Sequence, residues 1–496
     1  MKELPHGYTA TIGLEVHAEL HTNTKMFCAC KNDPFAAAPN THICPVCTAQ
    51  PGTLPVVNKK AVEYVLRVGA AIDADLADFT EFDRKNYFYP DIPKAYQISQ
   101  LEYPLVSNGV LAGVDITRIH LEEDTATSSH ETNHSLAEFN RAGVPLMELV
   151  TEPAIHDAET AMKFGKELQL LLRTLGVSEA NLEKGEMRIE ANISVSQTET
   201  FGTKVEVKNL NSFKIVGAAI DYEIDRQIEA LENGETLVQE TRGWNEQKQS
   251  TFSQRVKESS DDYRYFPDPD IPKFKLSELE GFSKEEIAKR LPELPWDKRT
   301  RYQELGVANE AVETFLSNKD LDALFIGVIE KTTEAKELKL AVNYITSDVA
   351  GLVKNAQEGS IMNITSDEIY NMIVMIQENK LSSRGAKDLI THMFVSGGSA
   401  QELAERYDLI QSSNTDELKV IVEQIFADNP DMVQKLKDGD EKLIALADSR
   451  RLMGLTYANL CELEVAYLKK DEKLIGELAS KWKSLKKEGH KKYTDD

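Results

Sequence analysis

Two segments in the first half of the chain alternate apolar and polar residues strictly, which is the pattern of β-strands with one buried face. Residues 187–195 and 204–208 both follow it. Their polar positions are Arg188, Glu190, Asn192, Ser194, Lys204, Glu206 and Lys208. The pattern predicts a sheet with one apolar face and one face of mixed charge. That second face is either an ordinary exposed antiparallel surface or a concave surface that holds a charged ligand.

Beyond residue 295 the apolar spacing changes to three and four, as in DEIYNMIVMIQENK (367–380) and DELKVIVEQIFAD (416–428), which predicts helices. Proline shows the same division, since 16 of the 17 prolines lie at or before Pro295 and only Pro430 follows. We therefore predict an α+β protein in which an antiparallel sheet domain (1–292) precedes an all-α domain (293–400) and a small helical tail domain (401–496).

The composition fits a globular protein of several domains: 496 residues, 41% hydrophobic and 28% charged. A formal charge of −25 argues against nucleic-acid binding over the whole surface but permits a local basic groove. No apolar run approaches the roughly 18 residues of a membrane span, and the N-terminus lacks a signal-peptide pattern. The sequence therefore predicts a cytoplasmic protein that does not associate with membranes.

Four of the five cysteines form two close pairs with the spacing C-x-C-x13-C-x2-C. They are Cys28, Cys30, Cys44 and Cys47. Two such pairs can supply four thiolates to a tetrahedral Zn²⁺, and disulfides are less expected in a chain without an export signal. A structural zinc site is predicted, while the isolated Cys461 is interpreted as an ordinary buried thiol.

Acidic residues form a second candidate site. Glu15 and His17 point the same way from one predicted strand, three acids follow each other at 122–124, and Glu148 is isolated within an apolar run. A buried carboxylate needs a cation or a hydrogen-bond partner, and Mg²⁺ prefers carboxylate oxygens. Taken singly, each residue fits a salt bridge or an edge position better than a metal ligand.

A third stretch, Phe82–Gln97, interleaves cations with aromatic residues. The cations are Arg84, Lys85 and Lys94, and the aromatic residues include Tyr87, Phe88, Tyr89 and Tyr96. This mixture suits phosphates and stacked bases, but it equally suits a small aromatic core beneath a loop. The motifs of P-loop NTPases, dinucleotide oxidoreductases and α/β-hydrolases are absent from the sequence.

Ten motifs occur in order across residues 12–272 and carry a resemblance to a known family. They are IGLEVHAELHTNTKMFC, CPVC, PGTLPVVN, FDRKNYFYPDIPKAYQISQ, IHLEEDTA, FNRAGVPLMELVTEP, MRIEANISV, KVEVKNLNSFK, QETRGWNE and DYRYFPDPDIP. In these motifs the chain resembles the B subunits of the bacterial aspartyl/glutamyl-tRNA amidotransferases. The resemblance continues more faintly through the helical half.

The resemblance implies a cradle-shaped catalytic domain, a helical domain and a tail that contacts tRNA. It also implies an ATP- and Mg²⁺-dependent ligase that phosphorylates glutamate on misacylated tRNA(Gln), or aspartate on tRNA(Asn), and then amidates it. Ammonia would come from a glutaminase A subunit, with a small C subunit completing a heterotrimer. The alternative is a non-catalytic tRNA-binding or scaffold protein of the same fold.

The matched motifs also suggest roles for individual residues. The implied Mg²⁺ ligands are Glu15, His17, Glu123 and Glu148, and the implied Zn²⁺ ligands are Cys28, Cys30, Cys44 and Cys47. Glu123, Glu148 and Lys85 are the predicted catalytic residues. Charge assigns phosphate or substrate contacts to Arg84, Lys94, Arg141, Arg188, Lys204 and Lys208.

The chain departs from the family pattern in three places. It has Thr125-Ala126-Thr127 where members usually carry Gly-Lys, and Arg188-Ile189-Glu190 where they commonly carry Arg-Cys-Asp. From about Glu441 its C-terminus also differs and becomes lysine-rich. One hypothesis is that four tail lysines replace the family's tRNA contacts: Lys481, Lys483, Lys486 and Lys487.

Overall fold

The computed structural model describes residues 4–35, 37–256, 263–356 and 362–411, with a few scattered positions between 423 and 434. It confirms a mixed α+β protein in which a large sheet domain precedes helices. By contacts the chain divides into two compact units, residues 1–325 with 333–335, and residues 326–332 with 336–496. The three domains with boundaries at 292/293 and 400/401 stay a prediction.

The first unit contains all the strands of the described residues. In chain order they are β1 (Thr9–Glu19), β2 (Asp75–Leu76), β3 (Phe79–Thr80), β4 (Asp83–Asn86), β5 (Tyr96–Ser99), β6 (Val106–Ser107), β7 (Val110–Leu111), β8 (Val114–Glu123), β9 (Thr127–His130), β10 (Ser135–Glu138), β11 (Pro145–Thr151), β12 (Met187–Ser196), β13 (Val205–Leu210), β14 (Glu240–Asn245), β15 (Ser250–Val256), β16 (Phe266–Pro267) and β17 (Phe274–Lys275). The two alternating segments of the sequence are thus confirmed as β12 and β13.

Eight of the twelve helices in the described residues begin at or after Pro295, where the apolar spacing predicts helices, and four precede it. The twelve helices are α1 (Lys59–Ala71), α2 (Ala158–Leu175), α3 (Phe213–Glu232), α4 (Lys284–Ala288), α5 (Pro295–Glu304), α6 (Asn309–Ser317), α7 (Lys319–Ile329), α8 (Ala335–Asn343), α9 (Ala350–Asn355), α10 (Ser366–Gln377), α11 (Ser383–Ser396) and α12 (Ala400–Arg406). A π-helical turn, Tyr344–Val349, joins α8 to α9. The predicted helix at 416–428, Cys461 and the lysine-rich tail lie outside the described residues.

The large sheet has ten strands in the described chain, ordered β15-β14-β13-β12-β1-β11-β8-β6-β2, with β7 paired to β8. Its neighbours are antiparallel except β13 and β14, which are parallel. Because parallel neighbours need a crossover, α3 occupies the connection between them. The predicted antiparallel sheet is therefore correct apart from this pair.

Helices α1, α2 and α3 cover the apolar face of the large sheet. Their buried residues join one core with alternate residues of β1, β8, β11 and β12. Each helix begins at a polar side chain, Asn58, Asp157 or Ser212, that accepts a hydrogen bond from a main-chain N–H of its first turn. Helix α2 ends at Gly176, whose φ of 65° suits glycine. The opposite face of the sheet is consequently left for polar groups.

Candidate active site

A row of polar side chains crosses the uncovered face through five adjacent strands. It contains Glu206 and Lys208 on β13, Arg188 and Glu190 on β12, Glu15 and His17 on β1, Glu148 on β11, and His120 and Glu122 on β8. The row forms because the strand registers set these positions side by side: Glu15 pairs with Glu190, and Glu148 pairs with His17 and His120. These residues line a cavity of about 590 Å³, within the range of small-molecule sites.

Glu148 is the centre of this row. Its carboxylate lies 3.3 Å from His17 Nε2 and 3.5 Å from His120 Nε2, while Arg118 Nη2 is 3.9 Å away. His120 Nε2 is also 3.5 Å from Glu122 Oε1, which accepts a 2.7 Å hydrogen bond from Ser99. The acid that appeared isolated in the sequence is thus surrounded by cations and hydrogen-bond donors.

Both carboxylates of this cluster are held ionised. Burial opposes the charge on Glu148, but His120, His17 and Lys85 hold its pKa well below the usual range. Burial likewise opposes the charge on Glu122, and Lys85 and His120 lower its pKa to about 2. Two buried anions this close persist only where cations compensate them.

These side chains fit a divalent cation. One ligand atom each from His17, Glu122 and Glu148 lies within 4.8 Å of the others. A second group with the same property consists of Glu15, Glu190 and Glu206. Lys208 compensates this second group, with Nζ 2.7 Å from Glu190 and 3.8 Å from Glu206. Carboxylate-rich sets of this kind are what Mg²⁺ prefers.

The structure places the predicted ligand Glu123 elsewhere. Its carboxylate lies 2.5 Å from Lys94 Nζ and accepts a 3.0 Å hydrogen bond from the main-chain N–H of Ile98. Together with Cys47 it lines a separate, smaller cavity of about 210 Å³. Consecutive residues of a strand point to opposite faces, so Glu122 rather than Glu123 reaches His17 and Glu148. Of the four predicted ligands the structure brings together His17 and Glu148, with Glu15 in the neighbouring group.

Four of the predicted cations line the large cavity: Lys85, Arg188, Lys204 and Lys208. Lys85 Nζ is 3.6 Å from Glu122, and Arg188 donates a 2.8 Å hydrogen bond to Asp124. Burial opposes the charge of Lys85, yet Glu122, Tyr265 and Glu148 raise its pKa well above the usual value. Lys85 therefore remains cationic beside these acids.

Arg84 and Arg141 have structural contacts instead. Arg84 forms hydrogen bonds of 2.7 and 2.8 Å to Asp268 and Asp270, which fasten β4 to the segment after β16. Arg141 donates to the main-chain oxygens of Thr125 and Ala126. Neither side chain lines the large cavity among the described residues, and their phosphate contacts stay predictions.

The four predicted zinc ligands lie together. One sulfur each from Cys28, Cys30, Cys44 and Cys47 lies within 4.8 Å of the others, a spacing that a tetrahedral Zn²⁺ with Zn–S bonds of about 2.3 Å can close. The fully buried Lys25 donates to Cys47 Sγ at 3.7 Å and to the Phe139 main-chain oxygen at 3.0 Å. A hydrogen bond from Cys28, backbone donation from Cys44 and the charge of Lys25 lower the pKa of Cys47. The sulfur set therefore fits a thiolate-bound metal.

Sequence reasoning missed several residues of the cavity. Glu122 and His120 could have been found from the alternation of core and polar-face residues along β8. Ile119 and Leu121 belong to the core, so the neighbouring even-numbered residues lie on the polar face. Glu190 and Glu206 were assigned to the polar face but not to a ligand set. No local pattern indicated Arg118, because its approach to Glu148 depends on the pairing of β8 with β11.

Two family models match the chain and define its class. The GatB/GatE catalytic domain matches residues 10–280, and the GatB domain matches residues 327–447. The chain is 43% identical over 451 residues to the B subunit of the aspartyl/glutamyl-tRNA(Asn/Gln) amidotransferase of Caldanaerobacter subterraneus subsp. tengcongensis, covering 88% of this chain and 93% of the relative. It is 39% identical over 463 residues to the protein of the same name from Crocosphaera subtropica, covering 88% and 92%.

The chain therefore belongs to the family of aspartyl/glutamyl-tRNA(Asn/Gln) amidotransferase B subunits, and the resemblance seen in its motifs is confirmed. Its relatives are named as one subunit of an enzyme that acts with tRNA. In the part of the chain that the structure describes, no helix combines the length and apolarity needed to cross a membrane.

Proposed function

We propose that this chain is the subunit that activates the side-chain carboxylate of glutamate on misacylated tRNA(Gln), or of aspartate on tRNA(Asn), for amidation. The observation that carries the proposal is the row of interleaved acids and cations across five strands, around a cavity large enough for reacting groups. We identify this open polar face with the catalytic cradle of the family.

The reaction requires activation because a carboxylate is a poor electrophile. In the first step a side-chain carboxylate oxygen attacks the γ-phosphorus of ATP, the bond to the β-phosphate oxygen breaks, and an acyl phosphate and ADP form. Ammonia then attacks the acyl carbon, inorganic phosphate leaves, and the nitrogen loses a proton. The first step concentrates negative charge, so a site of fixed cations suits it.

The chain offers groups for this charge. Lys85, Arg188, Lys204 and Lys208 line the cavity and are assigned to phosphate and carboxylate contacts. His17, Glu122 and Glu148 would hold Mg²⁺, with Glu15, Glu190 and Glu206 as a second candidate group. The bound ion would supply charge neutralisation and orientation of phosphate oxygens. Glu123 and Lys94, which line the smaller cavity, are assigned no contact with the transferring phosphoryl.

Four further parts of the proposal rest on family membership and chemistry. The sulfur set would hold a structural Zn²⁺ that fixes the insert between β1 and α1. Ammonia would be supplied by an amidase A subunit, and a small C subunit would complete the complex. The tail would contact tRNA. The reaction would take place in the cytoplasm, where its tRNA substrates are.

The test uses the chain co-expressed with A and C subunits from the same genome. Labelled Glu-tRNA(Gln), ATP and Mg²⁺ are supplied with glutamine or ammonium chloride, and Gln-tRNA is counted. Product with both donors is expected. Product with ammonium alone would leave activation intact and indicate a fault in ammonia supply.

The same assay separates an enzyme from a scaffold. Glu148→Gln keeps the size of the side chain but removes the charge at the centre of the row, so we expect amide formation to fall by at least about 100-fold. A stable wild-type complex that binds tRNA but yields no product with either donor would favour the non-catalytic alternative.

A further inference from the structure

Aromatic rings form one side of the large cavity, and the chemistry proposed above does not use them. Tyr87, Tyr263 and Tyr265 all line it. The ring centroids of Tyr87 and Tyr263 are 5.8 Å apart at 72°, and those of Tyr263 and Tyr265 are 6.3 Å apart at 78°. These three side chains, here called the tyrosine wall, come from two segments that are far apart in sequence.

Hydrogen bonds hold the tyrosine wall in place. Asn86 Nδ2 donates to the main-chain oxygens of Tyr263, at 3.2 Å, and Arg264, at 2.8 Å. The Tyr87 hydroxyl donates to Gln97 Oε1 at 3.2 Å. Gln97 in turn donates to Glu122 at 2.9 Å. The Tyr87 ring is therefore linked to Glu122 through Gln97, and the main chain that carries Tyr263 is linked to β4.

The wall also lies next to a phosphate-binding candidate. Lys85 Nζ is 5.4 Å from the centroid of the Tyr263 ring and 3.6 Å from Glu122 Oε1. Lys85 thus contacts both Glu122 of the proposed metal-binding group and the ring of Tyr263. A nucleotide whose phosphate groups contact Lys85 would carry its base toward the tyrosines.

We propose that the tyrosine wall is a stacking site for an adenine base, a proposal that rests on the function proposed above. Adenine enters that reaction from two sources, ATP and the 3′-terminal adenosine of the tRNA, and the wall is suited to the chemistry they share. Lys85 Nζ lies over one face of the Tyr263 ring. All three tyrosines are only partly buried and line the cavity, so ring surface is accessible to a base from the cavity. Aromatic stacking is a general means of binding nucleobases.

The test measures equilibrium binding to the full chain, so it does not depend on turnover. Tyr263→Leu removes the ring, whereas Tyr263→Phe keeps it and is expected to retain affinity. Removal of one stacking ring is expected to weaken binding of the adenine ligand roughly ten-fold or more. Phe88→Leu is the matched control, because Phe88 belongs to the neighbouring segment, is 73% exposed, and is not among the described residues that line the cavity.

Two arms distinguish the sources of adenine. In the first, the affinity for ATP is compared with that for inorganic tripolyphosphate, which lacks a base. In the second, the affinity for tRNA is compared with that for the same tRNA without its terminal adenosine. Tyr263→Leu should either weaken ATP but not tripolyphosphate, or abolish the difference between the two tRNAs.

Two results would overturn the proposal. One is that Tyr263→Leu changes neither comparison. The other is that ATP and tripolyphosphate weaken equally while the difference between the two tRNAs is kept, which would show that Tyr263 only maintains the shape of the cavity. A wild-type complex that binds ATP in a ring-dependent way but forms no amide would instead refute the proposed function and leave the stacking site standing.

Discussion

At the scale of single residues, Glu122 and Glu123 are neighbours in sequence but line different cavities. Glu122 faces His17 and Glu148, whereas Glu123 is paired with Lys94 at 2.5 Å. The sequence indicated that an acid of this run takes part in the site, because three consecutive acids are unusual in a strand. The family resemblance assigned this role to Glu123, whereas the structure brings Glu122 to His17 and Glu148, because the face on which a residue lies depends on the register of β8 and a one-residue shift exchanges the faces.

Paired variants test this difference. Glu122→Gln removes a proposed ligand, so we expect it to weaken binding of Mn²⁺, a probe for Mg²⁺, by about 10- to 100-fold. Glu123→Gln should stay close to the wild type. The measurement is titration of the purified chain followed by electron paramagnetic resonance. Loss of the ion in Glu123→Gln alone would restore the assignment made from the sequence.

Glu19 predicts a pH dependence of stability. Burial and the nearby Asp124 raise its pKa to about 8, against about 4.3 in an unfolded chain. The native state then holds a proton that the unfolded state releases, so the free energy of unfolding falls as pH rises from about 4.3 to 8. Glu19→Gln mimics the protonated side chain, so urea unfolding at pH 4, 7 and 9 should show it close to the wild type at pH 4 and progressively more stable than the wild type at pH 7 and 9. Parallel pH profiles would contradict the prediction.

At the scale of secondary-structure elements, the spacing of apolar residues predicted individual strands and helices. It did not predict the pairing of strands that are distant in sequence. Strands β12 and β13 and helix α10 lie where their repeats indicated, because each repeat is contained in one segment. The pairing of β1 with both β11 and β12 joins segments more than 120 residues apart. Periodicity carries no information on such pairings, yet they assemble the site.

Gly165 of helix α2 lies close to Ile189 and Phe213, so a substitution there tests how tightly α2 packs. A Cβ there would lie 2.9 Å from side-chain atoms of Ile189 and Phe213, so Gly165→Ala should lower the free energy of unfolding by about 1–3 kcal/mol despite the better helix propensity of alanine. Gly351→Ala in α9 is the control, since its Cβ would meet no described atom within 4 Å, and it should gain up to about 1 kcal/mol. Urea unfolding of both variants decides, and equal effects would contradict the prediction.

A metal held by the sulfur set would stabilise the insert between β1 and α1. We expect about one zinc per chain as purified and loss of that zinc in Cys44→Ser. Because the loop has few apolar contacts of its own, metal loss should expose residues 28–58 to limited proteolysis. Metal analysis and mass spectrometry of the fragments provide the measurement. A zinc-free wild type that resists proteolysis equally would argue against a structural metal.

At the scale of the whole molecule, charge is distributed against the overall balance. The net charge is −25, yet five lysine or arginine side chains line the large cavity of the first unit beside six acidic side chains. The lining of the cavity is therefore close to neutral, so a polyanionic substrate would be repelled by most of the surface and much less at the cavity. Composition alone indicated the first effect and could not locate the second.

The lysine-rich C-terminal tail is the hypothesised tRNA contact. Truncation at Lys470 removes Lys481, Lys483, Lys486 and Lys487, which should weaken tRNA binding and reduce its salt dependence by up to about one unit of slope for each phosphate that the tail no longer neutralises. Affinity measured from 50 to 200 mM KCl tests it, with replacement of the four lysines by glutamine as the matched variant. Unchanged affinity would exclude the tail from the tRNA interface.

The opposed carboxylates of β8 have a final consequence. Glu122, on one side of the strand, lines the cavity of about 590 Å³. The next residue, Glu123, lies on the other side and lines the cavity of about 210 Å³. A displacement of the strand at this point would therefore move residues that line both cavities. A substitution at Glu122 or Glu123 alters the lining of one cavity alone. An insertion or deletion of one residue within β8 would instead exchange the residues that line the two cavities.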